Sequence, residues 1–339
     1  MSVSPPPPPS AGSDRGFIIG LAILGGSYVV LILGMLAADL FFTTPDYLLK
    51  SLSSPEIRYA IKLSLISCTI TTILALWVAV PLGYLLSRTK FPGKSAVDTV
   101  IDIPIVLPPL VIGLSLLILF QSWPGQTLEA FTNRRLGFAL VYVILPLSAA
   151  LLVAIAVQSR GWQIRVFLAQ FTAAALIAIL LLTGLGDEWS GTLQQHFGSR
   201  ITYAVPSVIL AQFAVSTAFA VRTMRVTFDQ ISPRTEQVAL TLGCSRSQAF
   251  WLIVLPESRR GMLTAATLAW ARSLGEFGPI LIFSGATRMR TEVLSTTVFL
   301  ELSIGNLYAA IAVSLLMVAV AVFVLVLTRM FGLRGTGML

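Results

Sequence analysis

The sequence predicts an all-α polytopic membrane protein with about eight transmembrane helices, and three observations predict it. Of 339 residues, 56% are hydrophobic and only 11% are charged, far from the balance of a water-soluble domain. The apolar residues fall in runs long enough to cross a ~30 Å hydrocarbon core as helices. The basic residues gather in alternate connections between those runs, as expected when Lys and Arg stay on the inner side of a membrane.

The chain opens with Pro5 to Pro9, a polyproline tract that cannot pack a core, so residues 1–16 are expected to form a disordered cytoplasmic tail. Residues 17–38 follow Arg15 and are apolar throughout. That run exceeds the usual core of a secretory signal and is read as a retained first span. Further spans are expected at about 59–87, 99–121, 138–157, 164–185, 203–226, 262–284 and 304–328, the first of these long enough to begin as an interfacial helix near Glu56.

With the N-terminus inside, the cytoplasmic side carries Arg15, Arg88, Lys90, Lys94, Arg160, Arg165, Arg222, Arg225, Arg234, Arg246, Arg259, Arg260, Arg329 and Arg334. The opposite side carries Lys50, Arg58, Lys62, Arg134, Arg135, Arg200, Arg288 and Arg290. Fourteen against eight favours both termini inside, with the Arg134–Arg135 pair running against the rule. The same bias accounts for most of the net charge of +8. No basic run is interleaved with aromatics, which argues against a nucleic-acid partner. Cys68 lies in a span and Cys244 in a loop, an implausible disulfide, and neither has metal-ligand spacing; the lone His196 sits in a polar loop.

The third span begins IDIPIVLPPLVIG. Pro104, Pro108 and Pro109 remove helix hydrogen bonds, so the segment must kink or partly unwind where protein or water can satisfy it, with Gly113 just beyond. A packed kink and a pore-lining broken helix both fit. Gly93-Lys94-Ser95 mimics the end of a phosphate-binding loop, but Arg88 stands where the first glycine belongs and a membrane helix follows; no ATPase motif is expected in this chain.

The longest polar-rich interval, SPRTEQVALTLGCSRSQAFWLIVLPESRRG, is dense in helix punctuation. Ser232 can cap a helix with Pro233 at its first position. Gly243 can end it in the left-handed region. Ser245 with Gln248 reads as a capping box opening a second short helix, which Pro256 closes. Val238 and Leu242 share one face of the first helix, Phe250 and Val254 one face of the second. The pattern describes a helix–turn–helix elbow lying against the membrane.

The spacing Gln237-Val238-Ala239, three residues, Gly243, nine residues, Ile253, one residue, Leu255-Pro256 resembles the EAA signature of ABC importer permeases. Gln237 stands where that family usually has Glu, and Val238 where it has Ala, although Glu236 supplies an adjacent acid. The resemblance implies that loop 228–260 is a cytoplasmic coupling segment docking into a separate ATP-hydrolysing subunit, through Glu236, Gln237, Val238, Ala239, Gly243, Ile253, Leu255 and Pro256. Two further stretches, FPGKSAVDTVIDIPIVLPPLVIG and LGEFGPILIFSG, resemble the molybdate and sulfate branch of those permeases, with Pro279 a departure.

Arg272 and Glu276 lie four apart within a span; intramembrane charges usually face the bundle interior or a wet path, and a purely structural ion pair also fits. The resemblance places a gate around Pro104, Pro108, Pro109, Gly113, Arg272, Gly275, Glu276 and Gly278. It implies a permease domain in two parts, 17–136 and 187–330, with an inserted, lipid-facing hairpin at 137–186 and a C-terminal tail at 331–339. It further implies a transported oxyanion, molybdate first and tungstate or sulfate next. The implied partners are an ATP-binding subunit dimer carrying the ATP and Mg, a second permease copy, an extracytoplasmic binding protein and membrane lipid. The chain itself is expected to hold no cofactor. An ABC permease for another small solute, an ion-coupled secondary transporter and an integral-membrane enzyme are the alternatives. The secondary transporter lacks a clear inverted repeat and has Glu276 as its one midplane acid. The enzyme has only Asp98 and Asp102 as an acidic pair at helical spacing.

Overall fold

The computed structural model describes residues 15–132 and 201–333, so the expected hairpin and most of both expected tails lie outside the described residues. The elements are α1 (Arg15–Phe42), α2 (Pro45–Ser53), α3 (Pro55–Arg88), α4 (Lys94–Val106), α5 (Pro109–Gln121) and α6 (Trp123–Thr132). They continue with α7 (Val205–Gln230), α8 (Pro233–Thr241), α9 (Arg246–Ala249), a π-helical turn (Phe250–Val254), α10 (Leu255–Glu257), α11 (Arg259–Leu274), α12 (Gly278–Phe283), α13 (Leu294–Ser303) and α14 (Leu307–Leu333). The described residues are helical wherever they are regular, as the sequence predicts.

Four helices, α1, α3, α7 and α14, are long and apolar enough to cross a membrane individually. Of the two remaining expected spans within the described residues, the one at 99–121 breaks as its prolines require, and the one at 262–284 is broken where a continuous helix was expected. The span at 99–121 is the pair α4 and α5, bent by 113° at Leu107–Pro108. Pro108 and Pro109 lack the donors that would carry the helix on, whereas Pro104 sits inside α4 without ending it. The span at 262–284 stops at Leu274 and restarts at Gly278. The long span begins near Glu56, as expected: α3 starts at Pro55, Ser54 caps it by accepting from the Ile57 N–H, and a separate helix, α2, precedes it.

The centre of the bundle is α3 against α7, with α11 laid across both. Their shared faces are rich in Ala and Ser, with Thr71, Thr72 and Gln212 among them, and small residues let helix backbones approach closely where no hydrophobic effect separates helix from lipid. One core cluster joins Ala75, Ala79, Leu86, Val221, Met224 and Phe228 to Val254, Leu255, Met262 and Ala265, so the polar elbow is built onto the main bundle. A second, around Leu63, Phe120, Val208, Ile280 and Phe283, packs the two broken spans together. Away from the elbow, Arg288 donates to Glu301 (2.7 Å) and Asn306 donates to its other oxygen (2.8 Å), tying the α12–α13 loop to the far end of α13.

Candidate functional site: the elbow and the junction of the broken spans

The elbow forms for the reasons its sequence supplies. The Ser232 hydroxyl accepts from the Arg234 N–H, Pro233 opens α8, and the Ser245–Gln248 capping box is complete in both directions. Gly243 has φ +91° with open space where a side chain would stand, so its role is conformational. Pro256 departs from expectation: it does not close the second helix. The chain widens by one residue into a π turn, the Leu255 N–H bonds to the Phe250 carbonyl five residues back, and helix resumes through Pro256 and, after a turn at Ser258, into α11. A π turn removes the clash that a proline ring makes with the carbonyl one ordinary turn earlier. The elbow therefore runs into α11 with a single-residue break at Ser258.

The signature residues divide into two groups. Gln237, Val238 and Gly243 face outward, with Val238 57% exposed and its partner in register, Leu242, 80% exposed. Ala239 and Leu255 are buried and Ile253 and Pro256 are partly so; these hold the elbow to the bundle. Glu236 belongs with the second group. Tyr84 Oη donates to its Oε1 (2.5 Å), and Arg88 Nε lies 3.5 Å from its Oε2. Arg88 also donates to the Ile231 carbonyl at 2.7 Å. Tyr84 is further fixed by edge contacts with Phe228 and Phe250. Glu236 is thus committed to α3 within its own chain, although the resemblance had counted it among the outward docking residues. Tyr84 and Arg88 were missed as elbow residues; their only sequence signal is an i, i+4 pair at the end of a span. Between α3 and the elbow lies a cleft of about 610 Å³, lined among others by Tyr84, Arg88, Glu236, Gln237, Arg246 and Phe250.

The second part of the site is where the broken spans meet. A Cβ added at Gly113 on α5 would stand 2.7 Å from Pro279 Cα, and one at Gly278 would stand 3.0 Å from the Leu110 N. Each glycine admits the backbone of the other span at its break, so α5 and α12 touch main chain to main chain. Pro108, Pro109, Gly113 and Gly278 are brought to this junction; Gly275 caps the end of α11 against its own preceding turn, and Pro104 lies within α4. Pro279, a departure from the resemblance, is the surface on which Gly113 rests.

Arg272 lies in the last turn before the second break and Glu276 within it. Their closest approach is 2.7 Å; Glu276 is 1% exposed and Arg272 30%. The contact is an ion pair without good hydrogen-bond alignment. The Arg272 guanidinium lies 5.7 Å over the Phe219 ring, and the Glu276 carbonyl accepts from Ser295 Oγ (2.6 Å). One residue missed in the sequence organises this region. Gln212, on α7 and 1% exposed, accepts from Thr71 on α3 (3.2 Å) and donates to the Ser273 carbonyl at the end of α11 (3.3 Å). It adds a side-chain donor to a carbonyl that also accepts from the Glu276 N–H (3.2 Å), and so ties α3 and α7 to the end of α11. A single buried amide in a span is its only sequence signal. Among the described residues, no group of His, Cys, Asp or Glu is placed to hold a metal ion.

A helical bundle with two broken spans in contact, and a polar elbow built onto its core, suits a conduit whose wall is moved from one face. Comparison with known proteins agrees. The sulfate transport system permease protein CysT of Escherichia coli (strain K12) is 25% identical over 290 residues, covering 84% of this chain and 82% of that protein. The molybdate/tungstate transport system permease protein WtpB of Thermococcus kodakarensis is 27% identical over 271 residues, covering 79% and 78%. A chain of a bacterial alginate ABC transporter, crystallised with its alginate-pentasaccharide-bound periplasmic protein, superposes with a TM-score of 0.60 at 15% identity over 96% of this chain and 97% of that one, a likeness of fold. Residues 79–334 match the family model described as binding-protein-dependent transport system inner membrane component, and the chain belongs to that family.

Proposed function

We propose that this chain is the membrane-spanning subunit of an ATP-driven importer for a tetrahedral oxyanion: molybdate, tungstate or sulfate. The observation that carries the substrate class is that relatives matched over about four-fifths of the chain are permeases for sulfate and for molybdate/tungstate. The expectation that put molybdate first gives way to the class, because both kinds of relative match alike.

In this reading the outward face of α8, with Gln237, Val238 and Leu242, docks into a separate ATP-hydrolysing subunit. Movement of that face passes through the π turn into α11 and reaches Arg272, Glu276 and the junction of Gly113 with Pro279. The ion pair suits a wall beside an anion path: a bare carboxylate repels the substrate, and a bare guanidinium traps it. A second copy of the permease completes the pathway, and an extracytoplasmic binding protein delivers the anion. Both termini face the cytoplasm.

The test is uptake into proteoliposomes holding this chain, its ATP-hydrolysing subunit and the binding protein. Radiolabelled sulfate and radiolabelled molybdate are supplied separately, each competed with the other and with tungstate. ATP-dependent uptake of at least one, competed by its relatives, is expected. Uptake driven by an ion gradient without ATP, or none of any oxyanion, rejects the reading.

A further inference from the structure

Helix α4 is held in an unusual way. None of its residues is fully buried; Val97 and Ile101 rest on the core but remain partly exposed. Its acids Asp98 and Asp102, four apart, face two arginines three apart on α7. Arg225 Nη1 meets Asp98 Oδ1 at 2.5 Å, and Arg222 Nη2 meets Asp102 Oδ2 at 2.9 Å. Two pairs in register fix both the position and the rotation of α4 against α7, which one pair cannot do. Beyond α4, the chain bends at Leu107–Pro108 and enters α5, whose Gly113 bears on Pro279.

The other end of the network reaches the elbow. Arg225 Nε lies 3.9 Å from Asp229 Oδ2, and Asp229 Oδ1 accepts from Ser87 Oγ on α3 at 2.6 Å. The next residue on α3, Arg88, is the one paired with Glu236. Charged and polar groups therefore run from α8 through the end of α3, where the Ser87 hydroxyl is the neutral link, and the end of α7 to α4, the arm that carries the proline break. Arg222 and Arg225 entered the sequence analysis only as inward-facing positive charge, and Asp98 and Asp102 only as an acidic pair without a role.

We propose that Asp98 and Asp102 on α4, engaged with Arg225 and Arg222 on α7, form an ionic strut that makes α4 move with the elbow and so carries elbow displacement to the junction of the broken spans. This rests on the transport reading above and adds a second route beside α11. The four are positioning residues: none is placed against the transported anion. With little apolar burial on α4, the strut adds to the partial packing of Val97 and Ile101; the Asp98–Arg225 pair is the less exposed of the two.

The experiment uses the full complex in proteoliposomes and measures anion imported per ATP hydrolysed. It is made on whichever oxyanion the wild type imports, so a wrong substrate changes the tracer and leaves the comparison standing. Asp98→Asn, Asp102→Asn and Arg222→Gln are each expected to lower that ratio by roughly threefold or more while hydrolysis continues. The charge exchange Asp102→Arg with Arg222→Asp is expected to restore it; the exchange is made at this pair because Arg225 also faces Asp229. A merely structural role lowers uptake and hydrolysis together and leaves the ratio alone. An unchanged ratio in the single variants, or an exchange no better than its parents, overturns the proposal. Should the variants assemble poorly, spin labels at the exposed Thr99 and Val226, with the strut intact, decide the matter. Their separation should be the same with and without ATP, and a separation that changes between the two states overturns the strut.

Discussion

At Gly243 a single dihedral angle carries the turn between α8 and α9. Its φ of +91° is costly for any residue with a Cβ, about 1 kcal/mol or more, while the space around it is empty. Gly243→Asp should therefore leave the protein inserted and expressed but distort the elbow, lowering transport relative to ATP hydrolysis; uptake and hydrolysis of the purified complex measure this. Gly243→Ala meets no steric obstacle, so it should show the same defect from backbone strain alone. The Arg272–Glu276 pair makes a different kind of prediction. On the transport reading proposed above, Glu276→Gln leaves the Arg272 guanidinium without its counter-charge and should slow anion release. Arg272→Ala leaves a buried carboxylate alone and should also cost stability, about 1–3 kcal/mol, less than for a fully buried pair because Arg272 is partly exposed. Uptake by both single variants and the double variant should give a coupling energy of about 0.5–3 kcal/mol, and additive effects sink the pairing.

Among elements, the contact of α5 with α12 is the most demanding. Gly113→Val inserts three carbons where the first already meets Pro279 Cα at 2.7 Å and the partner backbone cannot yield cheaply. Overpacking of this kind typically costs about 1–3 kcal/mol. The expected outcome is a lower thermal midpoint of the detergent-solubilised protein together with impaired uptake. A wild-type midpoint argues that the two spans do not stay in contact. The elbow shows how an element can be legible in part. Its caps and its turn follow from local chemistry, and Ser232, Gly243, Ser245 and Gln248 all act as their residue types predict. Pro256 does not, because the cost of a proline inside a helix depends on whether the neighbouring turn can widen, and that is decided by what packs against Phe250 to Val254.

For the whole molecule, the proposed topology has the elbow on the same side as both termini, as the charge bias favours. In a background with Cys68 and Cys244 replaced, a cysteine at the exposed Thr241 should be shielded from an impermeant thiol reagent added outside intact cells. One at the exposed Ser303 should react. The reverse labelling overturns the topology. The chain's own sequence determined the class of fold, the position of each described span to within a few residues, the elbow with its caps and the family signature. These depend on hydropathy and on hydrogen bonds between near neighbours, which are local properties. Only the tertiary structure decided that the proline break of the 99–121 span meets a second break, at 275–277, through Gly113 and Gly278, that Glu236 turns inward to Tyr84 and Arg88, and that Gln212 and the Asp98–Arg225 and Asp102–Arg222 pairs join separate helices. Each of these is a contact between residues far apart in sequence. A carboxylate has no local preference between a partner protein and an arginine on another helix; packing places the arginine there first.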